Sequence, residues 1–292
     1  MHRLAQRRII LPFLLPAAVL LALFFLYPLV RTVGISLSDW TRTGNSRFVG
    51  GANYTALLTD PEYRTALKNT FAFTFIGGCL LFPPAVAIAW ALNQPIRGEK
   101  FFRFVIFAPV VLSAAVVALM WKFIYHPTLG LISPAMAEVG LGGMAREWLG
   151  DPLTALPAVA FTTVWQGIGI WVVLLSAGFE RLPRDVLEAG RVDGAGEWRL
   201  FWSVMMPLLY DLLRILLVLW IVQSMQAFAF VYIMTGGGPF GSTEVVGTLM
   251  YRIAIDQTEF GYAAAMGVVL VAILLAVTAI LNKVLKRDDL EY

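Results

Sequence analysis

The sequence predicts an all-α membrane protein with six transmembrane helices and both termini in the cytoplasm. Hydrophobic residues fill 59% of the 292 positions and charged residues only 14%, whereas a soluble domain usually carries about 25% charged residues. The mean hydropathy is +0.75. Six apolar stretches are each long enough to cross a hydrocarbon core of about 30 Å. Basic residues gather on alternate sides of these stretches, as the positive-inside bias requires. A length that would suit about two soluble domains is therefore read as one membrane domain over residues 1–292.

The first span runs from Ile9 to Val30 behind Arg3, Arg7 and Arg8. It is longer than the roughly 7–15 residues of a signal-peptide core and lacks a small-x-small cleavage pattern, so it reads as an uncleaved helix. The others are Asn69 to Leu92, Phe101 to Tyr125, Thr154 to Phe179, Leu208 to Thr235 and Tyr262 to Leu285. Pro12, Pro16, Pro28, Pro83 and Pro84 predict kinks in the first two, which neighbouring helices can compensate. Arg3, Arg7, Arg8, Arg97, Lys100, Arg103, Arg181, Arg184, Arg191, Arg199, Arg214, Lys283, Lys286 and Arg287 fall on one side. They outnumber Arg31, Arg42, Arg47, Arg64, Lys68, Lys122, Arg146 and Arg252 on the other. Loops 93–100 and 180–207 are thus expected inside, and loops 31–68, 126–153 and 236–261 outside. Trp40, Trp121 and Trp148 sit at the expected outer ends, where indoles anchor in the lipid interface.

Several chemistries are disfavoured. The net charge of +3 is spread over span ends rather than massed in a stripe, so nucleic acid is not an expected partner, whereas membrane lipid is. Cys79 is the single cysteine, and His2 and His126 have no clustered His, Cys or carboxylate, which leaves no metal set. No G-x-x-x-x-G-K-[ST] loop occurs, and Gly236-Gly237-Gly238-Pro239 reads as a turn rather than a phosphate cradle. Ion-coupled carriers commonly bury acids at mid-membrane, but these spans are nearly free of them. Asp211 and Arg214, three apart at the start of the fifth span, read as a pair that can also snorkel. With no nucleophile–base constellation an enzyme is disfavoured. The energy for any transport would come from a partner.

Between spans four and five the chain reads Leu182-Pro183-Arg184-Asp185-Val186-Leu187-Glu188-Ala189-Gly190-Arg191-Val192-Asp193-Gly194-Ala195-Gly196-Glu197-Trp198, continuing to Met206-Pro207. Pro183 suits a first helical turn, Asp185 favours the positive end of the helix dipole, and Gly194 with Gly196 ends it. The result is a short amphipathic helix on the cytoplasmic face, then a second from about Glu197 that leads through Pro207 into span five. Val186, Leu187 and Gly190 are expected to pack into a partner's groove, with Glu188 and Arg191 offering charges.

This loop resembles the EAA motif of ABC-importer permeases, in Glu188-Ala189-Gly190, Asp193-Gly194-Ala195 and Pro207. It departs at Gly190, where the motif has Ala. The resemblance covers nearly the whole chain and points to the carbohydrate-uptake, maltose-permease-like branch. Tyr27-Pro28-Leu29-Val30, Ser36 to Trp40, Phe48-Val49-Gly50, Asn53-Tyr54, Leu67 to Thr70, Leu92-Asn93, Arg97-Gly98, Phe101 to Arg103, Trp165-Gln166-Gly167, Thr235 to Pro239 and Phe260 to Ala263 follow its pattern in order. It implies the permease (MetI-like) fold in a multi-pass cell-membrane protein, with a coupling helix formed by Glu188, Ala189, Gly190, Arg191, Asp193, Gly194 and Ala195. It also implies a second permease as heterodimer partner, two ATP-binding subunits that hold ATP and Mg, and an extracytoplasmic solute-binding protein.

Polar and aromatic groups inside a helix bundle can bind a polyhydroxylated solute. Thr163, Gln166, Gly167 and Ile170 form one stripe on span four; Trp220, Ser224 and Ala227 form another on span five, flanked by Gln223 and Gln226. The resemblance places both stripes at sugar-contacting positions, and ordinary interhelical packing by Gly, Ser and Gln is the competing explanation. The sequence thus supports an ATP-driven importer permease for a sugar or related solute, with an ion-coupled secondary transporter as the alternative.

Overall fold

The computed structural model describes residues 14–41, 44, 46–140, 142 and 146–286. His2, Arg3, Arg7, Arg8, Pro12, Arg42, Arg287 and the start of the expected first span lie outside the described residues. The helices are α1 (Leu14–Ser36), α2 (Ala52–Thr59), α3 (Pro61–Leu92), α4 (Glu99–Val111), α5 (Ala114–Ile124), α6 (Ile132–Glu138) and α7 (Ala155–Glu180). They continue as α8 (Arg184–Val192), α9 (Glu197–Leu208), α10 (Tyr210–Ser224), α11 (Ala229–Met234), α12 (Val246–Tyr251) and α13 (Phe260–Val284). A hairpin of β1 (Ser38–Trp40) and β2 (Ser46–Phe48) follows α1, with Asp39 opposite Arg47.

Four of these helices, α1, α3, α7 and α13, are long and apolar enough to cross a bilayer unaided. The third and fifth expected spans are not continuous. α4 and α5 meet at 101°, and α9 and α10 at 68°, so six spans result when each bent pair counts as one. The first break has a local cause: Pro109 lies in a 3-10 turn, Ala108–Val111, and Ser113 then caps α5 by accepting from the Val116 amide. Span five also stops early. The helix ends at Ser224 and resumes only at Ala229.

The contacts divide the chain into two compact units. Residues 14–60 and 250–273 form one. Within it, Asn53 Nδ2 donates to the Ser36 and Ser38 carbonyls at 2.8 and 3.0 Å, and Ser36 Oγ meets the Tyr54 hydroxyl at 2.5 Å. Trp40 packs on Phe260 with ring centroids 5.7 Å apart, and the Tyr262 hydroxyl donates to Asp60 Oδ2 at 2.6 Å. Gly261 is required here, because a Cβ would collide with the Ser38 carbonyl. Motifs two hundred residues apart in sequence thus form one clasp.

Residues 61–249 and 274–286 form the second unit. Its axis is α7, which is 50% buried over its most apolar window, against 22% for α3. One core joins Leu81, Ala85, Trp171, Leu175, Leu200, Phe201 and Trp220; another joins Phe73, Ala118, Tyr125, Val159, Val231 and Val245. At the foot of α10, Arg214 lies 3.8 Å from Asp211 and also reaches the Leu285 carbonyl at 3.5 Å, as does the Tyr210 hydroxyl at 3.1 Å. The glycine run behaves as a turn: Gly236 and Gly237 adopt φ of 59° and 89°. A Cβ on Gly237 would lie 2.9 Å from the Glu244 carboxylate, a charge that would repel phosphate.

Candidate functional site

Two features stand out in the second unit. The first is α8. Pro183 precedes it in extended conformation, Asp185 occupies its first turn and Arg191 its last, matching the helix dipole at both ends. The chain leaves it through Gly194 at φ 84°, and the Ala195 amide closes back on the Gly190 carbonyl at 3.0 Å. This left-handed closure requires glycine at Gly194.

Which way α8 faces differs from expectation. Leu187 packs onto the core that holds Leu200 and Phe201, and a Cβ on Gly190 would lie 2.8 Å from Leu200 Cδ1. Leu187 and Gly190 therefore look inward, seating α8 on α9 rather than in a partner's groove. The i, i+3 spacing that put them on one face was legible; which face the chain itself would bury was not. Glu188, Ala189, Arg191, Asp193 and Gly194 are exposed, with Ala195 partly covered. Arg191 Nε donates to Glu197 Oε1 at 3.1 Å across the turn, an exposed pair worth about 0–1 kcal/mol at most. Glu188 has no ion pair among the described residues.

The second feature is a cavity of about 710 Å³ between α7, α10 and the break after Ser224. All seven residues of the two stripes line it with the flanking Gln223: Thr163, Gln166, Gly167, Ile170, Trp220, Gln223, Ser224 and Ala227. Phe73, Trp171, Gln226, Phe228 and Phe230 also contribute. Trp171 continues the Gly167 stripe by four residues, so its place was readable. Phe228 lies in the helix break, and Phe73 in a span too uniformly apolar to reveal a face; no sequence signal marked either.

These side chains divide by task. Trp220 Nε1 donates to the Thr74 carbonyl at 2.9 Å, and Ser224 Oγ donates to Thr74 Oγ1 at 3.0 Å. A Cβ on Gly77 would lie 2.5 Å from Trp220 Cζ2. Gly77 is thus the notch in α3 that receives the indole. With only 4% and 3% of their surface exposed, Trp220 and Ser224 hold α10 to α3 and have little left to offer a ligand. Gln166 Nε2 donates at 2.7 Å to the Leu112 carbonyl, which the break between α4 and α5 leaves without a helical partner. Gln223 is exposed with no hydrogen-bond partner among the described residues. It is the freest polar group on the wall.

Residues 84–288 match the model of the family described as "Binding-protein-dependent transport system inner membrane component". The probable ABC transporter permease protein YurN of Bacillus subtilis is 34% identical, over 96% of each chain. The multiple sugar-binding transport system permease protein MsmF of Streptococcus mutans is 32% identical, over 95% of each. Among solved structures, a bacterial alginate ABC transporter in complex with an alginate pentasaccharide-bound periplasmic protein aligns with a TM-score of 0.83 at 19% identity, covering 97% of this chain and 95% of that one. That likeness is one of fold.

Proposed function

The chain belongs to the binding-protein-dependent transport inner membrane component family, and on that premise we propose that it is the permease subunit of an ABC importer for a sugar or related polyhydroxylated solute. A second permease, two ATP-binding subunits holding ATP and Mg, and an extracytoplasmic solute-binding protein complete the machine, in a cell membrane with α8 on the cytoplasmic side. The chain's own residues supply the path and the lever.

One observation supports this reading above the rest: α8 is seated through Leu187 and Gly190 on Leu200, and α9 continues at a 68° bend into α10, which walls the cavity. A push on the exposed face of α8 reaches Trp220 and Gln223 through packed side chains. Packed cores switch between discrete arrangements rather than deform continuously. Glu188 and Arg191 offer opposite charges to the ATPase, and Asp193 with Gly194 sets the exit of the helix.

The test is uptake and ATP hydrolysis by the assembled importer carrying Glu188→Ala or Asp193→Arg. Both variants are expected to insert normally, lose uptake and leave ATP hydrolysis uncoupled from solute. Normal uptake by both would remove α8 as the docking point.

A further inference from the structure

The cavity between α7 and α10 has no ionisable group among its described lining residues. Charges elsewhere on these helices are engaged away from it: Arg214 with Asp211 and the Leu285 carbonyl, and Glu180 with Arg103 at 3.5 Å. Its polar groups are also unevenly spent. A backbone carbonyl can only accept, so the hydrogen bonds of Gln166 to Leu112 and of Gln226 to Val222 (3.0 Å) each take one N–H of a side-chain amide and leave its second N–H and its oxygen free. Thr163 Oγ1 donates to the Val159 carbonyl at 3.0 Å, so this hydroxyl also remains as an acceptor. Gln223 keeps both of its amide N–H groups.

We propose that this chain's half of the path selects an uncharged, hydroxyl-donating solute and excludes anions. The inference rests on reading the cavity as the solute path. Sugar hydroxyls donate to the free oxygens of Gln166, Gln223 and Gln226, while Phe228 offers aromatic surface to the apolar faces of the rings. A carboxylate, sulfonate or phosphate accepts only. It would find only neutral amide N–H groups on this wall and no cation to repay its lost hydration. Specificity thus comes from an uncharged wall as much as from fit.

Saturation-transfer NMR on the assembled importer in nanodiscs tests this, using neutral mono- and disaccharides and the uronate matched to each. Each pair differs only by a CH2OH against a carboxylate. The neutral member is expected to bind at least about tenfold tighter, and Gln223→Lys should erase or invert that ratio. A uronate that binds the wild type as tightly as its neutral match overturns the charge selection and leaves the path reading standing. If neither class binds, and Gln166→Ala and Gln223→Ala leave ATP-driven uptake unchanged, the cavity is not the path and the inference falls with it.

Discussion

At the scale of single residues, glycines separate packing from function. Gly77 is filled by the Trp220 ring, whereas a Cβ on Gly167 would meet nothing within 4 Å although Gly167 lines the same cavity. Gly77→Ala is therefore expected to cost about 1–3 kcal/mol through overpacking, read as a lower unfolding midpoint of the purified protein, and Gly167→Ala, inside α7 with open space for its methyl, to hold or raise that midpoint. Equal midpoints for the two variants would contradict the notch. Gly190 makes a graded case. Only the flexible end of Leu200 opposes a methyl there, and alanine favours a helix by about 0.8–1.0 kcal/mol over glycine. Gly190→Ala is expected to retain uptake, and Gly190→Trp to lift α8 from its seat and abolish it. Much of this scale was legible, because the seven members of the two stripes reach the cavity wall with the flanking Gln223, although Ala227 lies past the end of α10, in the helix break. The tasks were not. Trp220 and Ser224 looked like ligands but are held by Thr74, a residue of another span that no local pattern connects to them.

At the scale of elements, the continuous spans were readable and the broken ones were not. Hydropathy alone runs unbroken through Leu112 and through Met225, since lipid-facing and cavity-facing segments are equally apolar. What permits a break inside a membrane is a distant group that satisfies the freed backbone. For the bend between α4 and α5, that group is the Gln166 amide on α7. Gln166→Leu is expected to leave the Leu112 carbonyl unpaired at a cost of about 1–3 kcal/mol, seen as a lower unfolding midpoint together with reduced uptake. A variant that loses uptake at unchanged stability would assign Gln166 to the solute alone. The short helix α8 was legible from Pro183, Asp185 and Gly194. Its inward face was misassigned, because Leu187 and Gly190 suit a partner's groove as well as they suit Leu200, and only the path of α9 decides between them.

At the scale of the whole molecule, the chain has a cavity without ionisable lining and an exposed helix seated on the segment that leads to it. Neither feature supplies energy by itself. A carrier driven by an ion gradient commonly holds a titratable or charged ligand near the solute, and the described wall holds none. On the proposed reading, power entering at α8 from a partner ATPase would account for both the exposed Glu188 face and the uncharged interior. The most direct measurement is solute uptake into proteoliposomes that contain the assembled importer, with proton and sodium gradients collapsed and ATP supplied or withheld on the side of α8. Uptake that requires ATP and persists without any gradient is the predicted result. Uptake driven by an ion gradient in the absence of ATP would contradict it.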